Sequence, residues 1–156
     1  MIDIYGSKSM SDMEDIPIRH KSILDQLRDR DISVFLSAGC HIFALYLNER
    51  FGYRLVAMWY PQNGSEGIEH VYAMNGEIGI DAAGPISREG FDTRFYRSNR
   101  REEITLLHLR AYFLRVCPQD SSREYGGTTI DQLLYEFARC HVEDNIGLFS
   151  PRSSSA

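Results

Sequence analysis

Two residues constrain this chain more than any others. Asn75-Gly76 stands between two apolar runs, Ile68–Met74 and Glu77–Ala82. Asn-Gly in that setting signals a two-residue hairpin of type I′. With the turn centred there, Met74 is expected opposite Glu77 and Tyr72 opposite Gly79. The same count puts His70 opposite Asp81, on one face of the sheet with Cβ atoms about 4.5–5.5 Å apart.

The residues before the hairpin change period. Phe43, Ala44, Leu47 and Phe51 recur at helical spacing and end at Gly52, which reads as a largely buried helix with a glycine stop. Ser37 is the expected N-cap, so Cys40 falls in the first turn. Tyr53–Tyr60 then reads as a strand ended by Pro61-Gln62-Asn63-Gly64. Elsewhere, Ile18–Asp29 suits a short helix with Pro17 at its start. Ser87 suits a cap for a helix carrying Phe91 and Phe95. Ile104–Val116 is apolar nearly all round and fits a buried helix or a strand equally. Thr128-Thr129 open an amphipathic helix with Ile130, Leu133, Leu134, Phe137, Ala138 and His141 on its apolar side. The expectation is one α+β domain over residues 1–149, with a loose polar arm at 1–16 and a disordered tail at 150–156.

The chemistry-bearing residues fall in the best-defined part of this reading. A thiol at a helix N-terminus is acidified by the unpaired N–H groups there. A histidine is the natural base for it near neutral pH, and a carboxylate the natural group to orient that histidine. Cys40, His70 and Asp81 supply these three roles in that order. Val34–Gly39 contains no Asn or Gln, so an oxyanion hole would use the Cys40 N–H and a second donor that the sequence does not identify.

Gly39-Cys40-His41-x-x-Ala44, Gly52-Tyr53, His70-Val71-Tyr72 and Asn75-Gly76-x-x-x-x-Asp81-x-x-Gly84 together resemble the core of the papain-like and transglutaminase-like cysteine superfamily, including its small bacterial and phage-associated members. The resemblance covers residues 37–84. It implies an α+β fold in which a Cys-bearing helix packs on an antiparallel sheet, with further helices C-terminal to it. It also implies hydrolysis or acyl transfer at an amide or ester bond, with Cys40 as nucleophile, His70 as general base and acid, and Asp81 as the orienting residue. The corresponding partner is a protein or peptide substrate. The non-enzymatic alternative is an inactive module of the same fold, binding a protein partner through the Arg88–Arg101 segment.

Composition narrows the remaining options. A net charge of −5 gives no basis for nucleic acid as the main partner. No uncharged stretch is long and apolar enough for a membrane span. The N-terminus lacks the basic-then-apolar order of a secretory signal, so the expected location is the cytoplasm, or export without a classical signal. Three cysteines, Cys40, Cys117 and Cys140, do not make a disulfide framework. Cys40-His41 and Cys140-His141 fail the spacing of a structural zinc site, because neighbours on a helix diverge by about 100°. His108 adds only a scattered further ligand. No metal or cofactor is called for. Asn63-Gly64-Ser65-Glu66-Gly67 is expected as a flexible loop leading to His70, a lid or a long turn.

Overall fold

The computed structural model describes residues 15–151. Among the described residues, six α-helices and a five-stranded antiparallel sheet form an α+β fold. In chain order they are α1 (Ile18–Arg28), α2 (Cys40–Phe51), β1 (Arg54–Gln62), β2 (Ser65–Asn75), β3 (Ile78–Asp81), β4 (Gly84–Ile86), α3 (Arg88–Arg94), β5 (Arg100–Glu103), α4 (Leu106–Val116), a small β6–β7 hairpin (Glu124–Tyr125, Thr128–Thr129), α5 (Ile130–Asp144) and α6 (Ile146–Phe149). The strand order is β4-β3-β2-β1-β5.

Helix α2 is buried almost all round, which explains its continuous apolar character. Phe43, Tyr46 and Leu47 belong to a core shared with Leu24 of α1 and with Leu134, Ala138 and Val142 of α5. Cys40 and Ala44 belong to a second core with Leu55, Ala57 and Trp59 of β1, Val71 of β2, and Leu109 and Tyr112 of α4. Val56, Met58, Tyr72 and Met74 form a third cluster beneath Phe91 and Phe95. The alternation sends Leu55, Ala57, Val71 and Ala73 toward α2 and Val56, Met58, Tyr72 and Met74 toward α3, until the register shifts between Met58 and Trp59 and brings Ile68 to the α2 side.

Several local expectations are corrected. The cap of α2 is Gly39, not Ser37; the Ser37 hydroxyl instead bonds the Ser33 carbonyl. A Cβ at Gly39 would lie 3.0 Å from Leu134 and 3.2 Å from Phe35, so this approach admits only glycine comfortably. The Asn63–Gly67 segment is neither lid nor loop. Gln62 pairs directly with Ser65, and Asn63 and Gly64 both take positive φ (46° and 80°), which is the type I′ requirement.

The second hairpin turns one residue later than expected. Asn75 pairs with Ile78, Met74 with Gly79 and Ala73 with Ile80, so Gly76-Glu77 is the central pair. Gly76 supplies the positive φ (62°) at its first position, and glycine at that place matches a type II′ turn. Asp81 therefore lies across from Tyr72, and His70 is its diagonal neighbour rather than its direct partner. The shift is two residues in register, and two residues preserve the face.

Ile104–Val116 resolves as Thr105-capped α4. The caps expected at Ser87 and Thr129 are present, the latter as a full capping box with Gln132. The expected arm lies largely outside the described residues, but Ile16 at its end is buried in the core. Of the expected tail, residues 152–156 lie outside the described part, and the Ser150 N–H bonds Ile146.

Candidate active site

Cys40 is the first residue of α2. The amides of Ile42 and Phe43 bond the Gly39 carbonyl, while those of Cys40 and His41 open the helix, where no upstream turn supplies acceptors. Burial alone would push the Cys40 thiol up. The side chains of His41 and His70 outweigh it and bring the thiol down to about 6. The residue itself is only 5% exposed.

His70 is fully buried. β2 pairs with β3 only over Ala73–Asn75, so at His70 this edge of β2 is open. Its Nε2 lies 3.0 Å from Asp81 Oδ2. That occupies one ring nitrogen and leaves Nδ1 without a hydrogen-bond partner. Burial opposes the charged ring, but Asp81 and Cys40 outweigh it and raise His70 to about 9. Burial likewise works against the Asp81 carboxylate, yet His70, the Ala83 N–H and Arg94 hold it below the usual range. Between these limits the arrangement favours thiolate beside imidazolium.

Helix α3 completes the surroundings. Arg94 Nη2 donates to Asp81 Oδ2 at 2.6 Å, and Ala83 N–H donates to Oδ1 at 2.9 Å, so both carboxylate oxygens are held. The Phe95 ring stacks on His70 at 4.0 Å and 12°, and the Arg94 guanidinium lies over Phe91 and Phe95. Arg94 and Phe95 carried no chemical assignment in the sequence, because nothing local shows that α3 folds back over β2 and β3. Trp59 is a further unassigned residue: its Nε1 is a buried donor without a partner, in the same core cluster as Cys40.

The structure pairs His70 directly with Asp81; Cys40 makes no hydrogen bond to His70 Nδ1 and is linked to that ring electrostatically, as it is to His41. Cys117 and Cys140 are half-buried free thiols, and burial raises Cys117 above the ordinary thiol range. His41 stacks on Phe113 at 3.6 Å, whereas His141 packs by Phe43 and Phe149. Among the described residues no group of three or more His, Cys, Asp or Glu is placed to hold a metal ion. No described helix is long and apolar enough to cross a membrane. The arginine segment is largely paired internally: Arg94 with Asp81, Arg97 with Glu69, Arg100 with Glu66 and Glu102, and Arg101 with Asp92. Compared with family models, curated proteins and solved structures, the chain matches none of them.

Proposed function

We propose that this protein is a cysteine hydrolase or acyltransferase of papain-like or transglutaminase-like type, acting on an amide or ester bond. The observation that carries the reading is a buried histidine, His70, fixed through Nε2 by the Asp81 carboxylate with Nδ1 left unpartnered, in a fold that starts a helix with Cys40, a thiol lowered to about 6 by His41 and His70. A depressed thiol pKa next to an oriented imidazole is what nucleophilic cysteine chemistry needs.

In this reading the Cys40 thiolate attacks the carbonyl carbon of the substrate, and the carbonyl electrons move onto oxygen. The Cys40 N–H at the helix opening faces that negative charge, with Trp59 Nε1 as the second buried donor of the cluster. His70 then gives its proton to the departing amine or alcohol as the C–N or C–O bond breaks, leaving a thioester on Cys40. Water, or an acceptor amine, loses a proton to His70 and attacks the thioester, which releases the acyl group and restores the thiol pair. Asp81 keeps Nδ1 of His70 aimed at the sulfur throughout, and Arg94 keeps Asp81 ionised.

The near-complete burial of Cys40 under Leu109 and Tyr112 favours a second reading, an inactive module of this fold that binds a protein. The two are separated by screening fluorogenic peptide amides and esters with the wild type and with Cys40→Ala. Hydrolysis that disappears in a folded Cys40→Ala variant supports the enzyme; hydrolysis that survives in it eliminates Cys40 as nucleophile. Wild-type Cys40 that resists iodoacetamide from pH 6 to 9 supports the module.

A further inference from the structure

A cavity of about 520 Å³ opens between α2, α4 and α5, within the ~300–1,000 Å³ range of small-molecule clefts. Its walls are apolar: Ile42 and Leu45 from α2, Leu106, Leu109 and Phe113 from α4. Cys40 is not among the lining residues, although the cavity adjoins the thiol site: Leu109 is common to both surroundings, and His41 lines the cavity while acting on Cys40.

Two polar atoms in this lining have no partner. His41 is 5% exposed and its Nδ1 is buried without a hydrogen bond. Asp131 Oδ1, from the first turn of α5, is likewise buried and unpartnered. A buried polar atom left unsatisfied costs about 1–3 kcal/mol, which makes such an atom a pointer to a missing partner. Both atoms are able to accept an N–H. The charged lining is mainly acidic: Glu49, Asp120, Asp131 and Glu136 line the cavity against Arg110. Three of these carboxylates are already engaged: Glu49 by the Tyr135 hydroxyl, Asp120 by Arg19 and Glu136 by Arg139. Asp131 retains the open oxygen, and burial pushes its carboxyl up against the pull of His41 and Arg19.

The geometry points to a binding site for an apolar amine: a hydrocarbon body along Leu45, Leu106 and Leu109, with an ammonium group donating to Asp131 Oδ1 and His41 Nδ1. A neutral head would satisfy the acceptors without countering the charge of Asp131. An anionic head would face the acidic lining.

The test uses three probes that share one chain and differ in head group, n-octylamine, 1-octanol and octanoate, titrated calorimetrically into the full chain. Octylamine binds saturably at one site, roughly tenfold or more tighter than octanol, as a charge-assisted hydrogen bond warrants. Octanoate binds weakest. Asp131→Asn, which keeps the shape, removes the advantage of the amine and leaves octanol unchanged. Cys40→Ala binds octylamine as the wild type does, so failure of the thiol chemistry leaves this result standing. Equal affinity for amine and alcohol would overturn the proposal, as would absence of saturable binding. An amine advantage that survives Asp131→Asn would overturn it too, reducing the effect to general attraction toward an acidic chain.

Discussion

Two buried histidine–aspartate pairs in this molecule look alike and differ in one respect that matters. His20 in α1 sets Nε2 at 2.7 Å from Asp120 and Nδ1 at 2.6 Å from the Tyr125 hydroxyl, while Arg19 holds both oxygens of Asp120 at 2.6 Å. His70 sets Nε2 at 3.0 Å from Asp81, and Arg94 and Ala83 hold that carboxylate just as fully. The first ring has both nitrogens engaged and ties α1 to the β6 hairpin and the segment before it. The second leaves Nδ1 without a hydrogen-bond partner, and its ring is electrostatically linked to a thiol at a helix start. A saturated pair is a fastening; a pair with one nitrogen left over is equipped to move a proton.

That contrast breaks if the two pairs respond alike to substitution. The largest effect is expected at the fastening. Asp120→Ala leaves Arg19 and His20 without their carboxylate and should lower stability in urea by about 3–5 kcal/mol, without moving the ionisation of Cys40. Next comes His70→Ala, read by mass-spectrometric iodoacetamide labelling at pH 6.5. Losing His70 while His41 stays raises the Cys40 thiol above about 6 and removes part of its thiolate. The surviving thiolate is the better nucleophile, so the net fall in rate is a few-fold. This variant keeps Asp81 paired with Arg94 and Ala83, so it should unfold at a higher urea concentration than Asp120→Ala. The smallest change, Tyr125→Phe, deletes one hydrogen bond of the fastening and should cost about 1 kcal/mol, again with Cys40 unaltered. Loss of thiol reactivity in either fastening variant would erase the distinction.

The pH dependence sharpens it further. Cys40 labelling should rise through about pH 6. Cys117, raised by burial, should label only above the ordinary thiol range, which gives each spectrum its own internal standard. The sign for stability follows from the same shifts. The contribution of a depressed Cys40 is complete above the ordinary thiol pKa and fades as pH falls through about 6. That of a raised His70 is complete below the ordinary imidazole range and fades as pH rises through about 9.

The meeting of His70 with Asp81 was legible because sheet geometry is periodic. The turn was placed one residue early, yet the error of two in register kept both side chains on one face, and a diagonal pair of long side chains still meets. Cys40 at a helix start was legible from the apolar run and Gly52, although the cap proved to be Gly39, selected by its closeness to Leu134 rather than by a capping side chain. What could not be read is tertiary. His20 and Asp120 are 100 residues apart, and no local pattern joins them. Arg94 and Phe95 look like members of a solvated arginine segment until α3 folds onto the sheet. The Asn63–Gly67 stretch was read by its composition as mobile, when Asn63-Gly64 is the strongest kind of tight-turn pair. The same signal that located one hairpin was available for the other.

The most direct test of the thiolate–imidazolium pair is the ultraviolet thiolate absorbance of the wild type minus that of Cys40→Ala, followed against pH, since it reports ionisation whether or not reagents reach the sulfur. The expected difference curve rises with a midpoint near pH 6 and moves upward when both proteins also carry His70→Ala, His41 remaining to hold part of the shift. A midpoint near the ordinary ~8.5, or one that ignores His70→Ala, would contradict the account and leave Cys40 a structural thiol.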